Sequence, residues 1–172
     1  MNEVIKAIKD RRSIKSYKPD AVPAELLDAI LEAGTYAPTG RNMQSPIIIA
    51  VTDKNLRDKI SKLNAEVMGM DGDPFYGAPA VLVVLADKSR NTYLYDGSLV
   101  MENLMLAAHS LGLGSCWIHR AKEVFDSEEG REILASLGIE GDYEGIGNCI
   151  VGYTQNPPAE RKPRKENYVY KI

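Results

Sequence analysis

An uninterrupted apolar run, APAVLVVLA at residues 78–86, limits what this chain can fold into more than any other feature. The run is less than half as long as a helix that crosses a bilayer, so it predicts no membrane span. Apolar residues at both odd and even positions are typical of a strand that is buried on both faces. We therefore expect a sheet in which this segment is a central strand.

The segments on either side of this strand alternate between helical and strand patterns. Helical spacing of apolar residues predicts helices in NEVIKAIKDRR, PAELLDAILEAG, DKNLRDKISKLNAEVM, DGSLVMENLMLAAHSLGLG and DSEEGREILASLGI. Short runs rich in β-branched residues predict strands in PIIIAV, SCWI and GIGNCIVGY. Asp53 is placed to cap the third helix, and Asp126 with Glu129 has the spacing of a capping box. The predicted order is α-α-β-α-β-α-β-α-β, followed by a tail.

Length and composition predict one globular unit. The 172 residues fit a single domain over 1–172, and the proline-rich, basic segment 154–172 predicts an extended tail. The first twenty residues contain no apolar block of the kind that a secretory signal needs, so we expect a cytoplasmic protein. Two cysteines and two histidines, without metal-ligand spacing, favour neither a metal site nor a disulfide framework.

A cluster of positive charge near the start of the chain contrasts with a formal net charge of -3. KDRRSIKSYKPD contains Arg11, Arg12, Ser13 and Lys15, and it follows a predicted helix, whose C-terminal dipole could account for the charge. The pattern R-x-S-x-K also suits a phosphate, because arginine offers a planar fork, serine a neutral donor and lysine a point charge. A second basic cluster lies at 162–165, and the two could close on one anion.

The loop PTGRNMQ, after the second helix, is the third polar group. It could be only a surface loop, but the amides of Asn42 and Gln44 offer the donors and acceptors that the edge of a heteroaromatic ring, such as a flavin pyrimidine, requires. A lone G-x-G in LGLGSCW does not indicate a dinucleotide fold. We find no nucleophile with a paired base, so a bound cofactor is expected to perform any chemistry.

Five segments in this order resemble the FMN-dependent nitroreductase family, in particular its short bacterial members. They are RRSIKSYKP, LLDAILEAGTYAPTGRNMQ, FYGAPAVLVV, NLMLAAHSLGLGSCWI and KPRKENYVY. The resemblance implies an α+β fold with a central, mostly antiparallel sheet flanked by helices. It also implies a homodimer that exchanges C-terminal extensions and shares its active sites. The implied activity is ping-pong transfer of hydride from NAD(P)H to FMN and then to a nitroaromatic, a quinone or a similar acceptor.

The resemblance also implies roles for individual residues. The family positions that bind the FMN phosphate and ribityl chain correspond to Arg11, Arg12 and Ser13. The position that points toward the N1 and O2 edge of the flavin ring corresponds to Lys15. A second phosphate clamp matches Lys162 and Arg164. The loop that reaches the cofactor from the neighbouring subunit matches Pro38, Thr39, Gly40, Asn42 and Gln44. Positions beside the ring match Asn64, Cys116, Trp117 and Ile118.

We expect the substrate pocket to include Arg41 and Tyr76, under a partial lid at 65–78. Glycines and prolines in the segment 69–79 predict a mobile loop there. Many relatives carry Trp soon after the position of Gln44, where this chain has Ser45-Pro46-Ile47, so the acceptor stays open. Three alternatives remain for function. One is a flavin-binding carrier or redox sensor without turnover. Another is a nucleic-acid surface formed by the basic clusters, which the net charge of -3 disfavours. The third is a different reaction on the same scaffold, such as reductive dehalogenation or dehydrogenation of an azoline-like ring.

Overall fold

The computed structural model describes residues 2–172, which form an α+β fold. Its helices are α1 (Glu3–Asp10), α2 (Ala24–Thr35), α3 (Lys54–Met68), α4 (Tyr93–Ser110), α5 (Ala121–Asp126) and α6 (Glu128–Ser136). Its strands are β1 (Pro46–Val51), β2 (Ala80–Asp87), β3 (Gly114–Ile118) and β4 (Tyr143–Gly152). A short 3₁₀ turn covers Gly40–Asn42. The predicted order of elements is confirmed, with α5 as an additional helix.

The four strands form one antiparallel sheet in the order β1-β2-β4-β3. Residues 81–86 of β2 have no solvent exposure, as the apolar run predicts. Alternate side chains of β2 point into two separate cores: Val81 and Val83 pack with Ile60 of α3, whereas Leu82 and Val84 pack with Leu104 of α4. The sheet therefore lies between a layer of α3, α5 and α6 and a layer of α2 and α4.

Helix α4 carries the largest share of the second core. Met101, Leu104 and Ala108 are completely buried, and they face the sheet and α2. A β-carbon built on Gly34 of α2 would lie 2.7 Å from Leu104, so the glycine allows the two helices to approach closely. This tight contact fixes the position of α4, which borders both parts of the candidate site described below.

The start of α3 agrees with the prediction, and the start of α6 does not. Asp53 accepts a hydrogen bond from the Leu56 amide at 2.8 Å and caps α3. At α6 the cap is Ser127, which accepts from the Gly130 amide at 3.1 Å, so the predicted capping box of Asp126 and Glu129 is wrong. Asp126 instead ends α5, whose six residues are too few to show helical periodicity in the sequence.

The tail begins by pairing with the segment after α1. Thr154 forms a bridge with Tyr17, the Gln155 amide donates to the Ser16 carbonyl at 3.0 Å, and Asn156 donates to the Ser16 hydroxyl at 2.9 Å. Residues 155–172 contain neither helix nor strand. Over the described residues, the helices fall short of the length and apolar character that a bilayer span requires.

Candidate functional site

The two basic clusters, which lie about 150 positions apart in sequence, meet in one cavity of about 600 Å³. The chain leaves α1 at Asp10 and exposes the first cluster, and residues 161–164 of the tail return to the same place. Arg161 reaches Asp10 at 3.4 Å and holds the tail there. The cavity is lined by Ile8, Lys9, Arg11, Arg12, Ser13, Arg161, Lys162, Pro163 and Arg164.

Arg12 has a structural role as well as a place in this cavity. One of its guanidinium nitrogens donates to the carbonyls of Lys9 at 2.9 Å and Asp10 at 3.0 Å, at the C-terminal end of α1. The helix-end explanation of the positive charge therefore holds for this arginine. Desolvation and the nearby charges of Arg161 and Arg164 lower the pKa of Arg12 below its ordinary value, against the opposing effect of Asp10. The cavity is thus strongly positive.

One hydrogen-bond donor of Arg11 has no acceptor among the described residues. This donor is the Nε atom, which is buried. The nearest acid is Glu102 of α4, whose Oε1 lies 3.7 Å away, within ion-pair range but beyond hydrogen-bond distance. A buried, unpaired guanidinium nitrogen is costly, and an anionic ligand in the cavity would supply the missing acceptor.

Ser13 and Lys15 lie beside strand β3. Ser13 forms a parallel bridge with Ser115, and the Ile14 amide donates to the Ser115 carbonyl at 3.0 Å. Burial raises the pKa of the Cys116 thiol, while a hydrogen bond with Ser13 and the charges of Lys15 and Arg11 oppose that rise. The structure therefore brings Arg11, Ser13, Lys15 and Cys116 together. The Nζ of Lys15 also lies 5.6 Å from the ring centre of Tyr76.

The loop at 38–44 lies elsewhere in the same chain. Thr39 and Gln44 line a separate cavity of about 340 Å³, next to α2 and β1. The loop contacts the start of α4, where the Gly40 amide donates to Asp96 at 3.0 Å, whereas the basic cavity adjoins α4 at Glu102. Six helical positions separate Asp96 and Glu102, a rise of about 9 Å. One chain therefore does not bring this loop onto the basic cavity.

Three of the sequence-predicted ring contacts cannot share one ligand through their side chains. Side chains alternate along β3, so Cys116 and Ile118 face one core and Trp117 faces the other. Trp117 packs on Gly147, where a β-carbon would meet its Nε1 at 2.4 Å. A flat ligand can meet either the face of Cys116 and Ile118 or the face of Trp117.

Asn64 lies below the surface. Its side chain has no solvent exposure, and its Nδ2 donates to the His119 carbonyl at 2.8 Å. Its Oδ1 has no hydrogen-bond partner in the described part of the chain. Contact with a cofactor ring would therefore require a neighbouring group to move, and the assignment of Asn64 to the site stays a prediction.

The segment predicted as a mobile lid is firmly attached over its second half. Asp73 accepts hydrogen bonds from Arg57, from Ser61 and from the amides of Phe75 at 2.9 Å and Gly77 at 2.7 Å. Phe75 is completely buried in the core. Residues 66–72 are exposed, so any lid movement would have to involve that first part.

Arg57, Asp73 and Asp96 are polar anchors that the sequence analysis missed. In the sequence, Arg57 and Asp96 look like ordinary helix charges and Asp73 looks like an ordinary loop charge. A carboxylate in the first turn of a strongly apolar helix was the one available signal for Asp96. Within residues 2–172, the His, Cys, Asp and Glu side chains form no group of three with the arrangement of a metal site.

Known proteins share both the sequence and the fold of this chain. The profile of the Nitroreductase family matches residues 8–70 and 64–153. An FMN reductase of Bacillus subtilis is 43% identical over 96% of this chain and 70% of its own length. A relative in Methanothermobacter thermautotrophicus, whose name includes NAD(P)H nitroreductase, is 34% identical over 67% of the chain, which spans 60% of that relative.

A solved structure agrees over the whole chain. The crystal structure of a nitroreductase with bound FMN from Bacteroides fragilis superposes with a TM-score of 0.89, at 30% identity, and covers 100% of both chains. The helix-flanked antiparallel sheet described above is therefore a nitroreductase-type fold. Profile, identity and fold agree: this chain belongs to the nitroreductase family.

Proposed function

We propose that this protein is a homodimeric, FMN-dependent oxidoreductase that takes hydride from NAD(P)H. The observation that carries the proposal is the cavity in which Arg11, Arg12 and Ser13 meet Lys162 and Arg164. Relatives named as an FMN reductase and as an NAD(P)H nitroreductase, and a related structure with FMN, support the choice of ligand.

The residues of the cavity fit the phosphate of FMN. A phosphate monoester carries close to two negative charges at neutral pH, and the lining has several cations in a space of about 600 Å³. The buried Nε of Arg11 would gain the acceptor that it lacks, and the Ser13 hydroxyl adds a neutral donor. Lys162 and Arg164 would close the clamp from the tail.

The remaining residues would orient the ring and select the acceptor. When bound, FMN supplies the redox chemistry, accepting hydride from NAD(P)H and passing it in a ping-pong cycle to a nitroaromatic, quinone or similar acceptor. Lys15, held beside Tyr76, would place a positive charge at the N1 and O2 edge. Arg41 and Tyr76 are exposed and would contact the acceptor.

The proposed site needs two chains. The loop with Pro38, Thr39, Gly40, Asn42 and Gln44 lies away from the basic cavity of its own chain, so we assign it to the cavity of the partner. Residues 154–164 stay with their own chain, so the tail would cross to the partner only beyond its basic cluster. Tyr168 and Tyr170, which are 67% and 80% exposed in the single chain, would be covered there. On the inner side, the ring would lie against one face of β3, either the face of Cys116 and Ile118 or the face of Trp117. Asn64 would reach the ring only if a neighbouring group moves.

The first experiment is an absorption spectrum of the purified chain, followed by chromatography of the compound that acid treatment releases from it. We expect FMN at about one per subunit. The double variant Arg11→Ala/Arg164→Ala should bind FMN roughly 100-fold more weakly or worse, because it removes two charge-assisted contacts. The matched control is Arg90→Ala/Arg131→Ala, which removes two exposed arginines from other surfaces and should bind as the wild type does.

Two results would contradict the proposal. If the chain takes up no flavin, even with excess FMN, the basic cavity must bind a different anion and the proposal is wrong. A chain that binds FMN but whose flavin neither NADH nor NADPH bleaches would be a carrier or sensor and not an oxidoreductase.

A further inference from the structure

The loop at 38–45 has an unusual backbone. The φ angles of Arg41, Asn42 and Gln44 are 53°, 54° and 49°. These values lie in the left-handed region, which residues other than glycine seldom adopt. Asparagine tolerates this region, whereas arginine and glutamine do so only when surrounding contacts hold them there. All three side chains are exposed, so core packing is not what holds this backbone in place.

Asp96 ties down both ends of this segment. The residue is 3% exposed, in the first turn of α4. Its Oδ1 accepts from the Gly40 amide at 3.0 Å, before the three left-handed residues, and its Oδ2 accepts from the Ser45 hydroxyl at 2.8 Å, after them. The Thr92 hydroxyl donates to the same Oδ2 at 3.0 Å.

No basic side chain of residues 2–172 forms an ion pair with Asp96. A buried carboxylate without a cation is retained only if hydrogen bonds satisfy it, and here they come from the loop and from the start of α4. The positive end of the α4 dipole adds to this stabilisation.

The loop also lies directly against α4. A β-carbon on Gly40 would lie 2.3 Å from the Thr92 hydroxyl, so only glycine allows the loop to approach this closely. Its outer edge is free of such contacts: the Gln44 side chain reaches only Asn42, at 3.5 Å. The inner edge of the loop is anchored to α4 and its outer edge is polar, so the loop holds its outer polar side chains in one orientation.

We propose that Asp96 is a positioning residue that holds the backbone at 40–45 so that Asn42 and Gln44 face the cofactor of the partner subunit. The inference rests on the proposed function, because that function assigns the loop to the partner's cavity. Asp96 itself touches no ligand and acts only through the loop.

The test combines hydrogen exchange of the loop with flavin affinity. In Asp96→Ala, peptides covering 37–46 should exchange about tenfold faster than in the wild type, because the Gly40 amide and the Ser45 hydroxyl lose their acceptor. FMN should bind about tenfold more weakly. Asp96→Asn should stay within about threefold on both measures, because its Oδ1 still accepts from Gly40 and its Nδ2 can donate to the two hydroxyls.

Ser127→Ala is the control, since it removes the cap of α6 and lowers stability without touching the loop. Loop exchange in Asp96→Ala that equals the exchange in Ser127→Ala would refute the anchor. Faster exchange with the flavin affinity of Ser127→Ala would show a purely structural residue and refute the positioning role. If Asp96→Ala does not fold, Ser45→Ala, which removes one donor, should shift both measures in the same direction, and no shift would refute the proposal.

The wild-type chain separates this inference from the proposed function. A wild type that binds no FMN overturns the proposed function and the cofactor part of this inference together. The exchange measurement then still decides whether Asp96 anchors the loop, because that measurement needs no flavin.

Discussion

At the scale of single residues, Asp73 links charge to local structure. Burial by itself would raise the pKa of this carboxyl group, but hydrogen bonds from Arg57 and Ser61 and from the amides of Gly77 and Phe75 outweigh burial and lower it. A lowered pKa means that the ionised group stabilises the fold above the unfolded value of about 3.9. That stabilisation is lost as the pH falls through the folded value.

Asp73→Asn should therefore lower the free energy of unfolding by roughly 1–3 kcal/mol at neutral pH, because one oxygen acceptor becomes a donor facing Arg57. The difference from the wild type should begin to shrink below the unfolded value of about 3.9, and it should disappear once the pH has fallen through the lower folded pKa, where the wild-type carboxyl is protonated as well. Urea unfolding at neutral pH and near pH 3 measures both effects. Asp71→Asn, two positions earlier in the same exposed turn, is the control and should unfold as the wild type does. An equal loss at both pH values would contradict this account.

At the scale of elements, the contact between α5 and α6 outweighs the helix propensity of a single residue. Alanine is the better helix former, so propensity alone predicts that Gly130→Ala stabilises α6 by about 1 kcal/mol. A β-carbon at Gly130 would however lie 2.0 Å from the Val124 carbonyl oxygen and 2.6 Å from the Phe125 Cα, which are backbone atoms of α5.

We therefore expect Gly130→Ala to destabilise the protein by roughly 1–3 kcal/mol, since the two helices must move apart. Thermal and urea unfolding give the sign directly. Glu132→Ala, at an exposed position of the same helix, should change stability by less than about 0.5 kcal/mol. A stabilised Gly130→Ala variant would mean that α5 and α6 pack less closely than described.

At the scale of the whole molecule, apolar surface remains uncovered. Val4, Ile5 and Ile8 of α1 are 64%, 52% and 53% exposed, and the end of the tail adds Tyr168 and Tyr170. Side chains that form an apolar face on an amphipathic helix usually pack against something. This surface supports the proposed homodimer, in which each patch would cover its counterpart.

Light scattering should accordingly give twice the chain mass of 19.0 kDa for the wild type. Val4→Glu/Ile5→Glu should shift the protein toward a monomer, because burying two carboxylates in an apolar interface is unfavourable. Lys59→Glu, an exposed residue of α3, changes the net charge by the same amount and should leave the dimer intact. A wild type that stays monomeric at tens of micromolar would refute the shared site.

The sequence by itself was enough to predict the local elements, and it pointed to a site for an anion. The apolar run of β2, the helical spacing of apolar residues in α4 and the Asp53 cap are short-range patterns, and the structure confirms each of them. The cluster at 11–15 indicated an anion site because arginine, serine and lysine at that spacing suit a phosphate wherever the fold puts them. Such features depend on a few neighbouring residues.

Only the tertiary structure decided which distant residues meet. The strand order β1-β2-β4-β3, the return of the tail to Arg11 and the bonds of Asp96 to Gly40 and Ser45 join parts of the chain about 50 to 150 positions apart. Periodicity carries no information on such pairs, because it reports only which face of an element is buried. The strand predicted for SCWI already implies that Cys116 and Trp117 point to opposite faces, but only the structure shows which core each of them meets and that Asn64 lies beneath the surface.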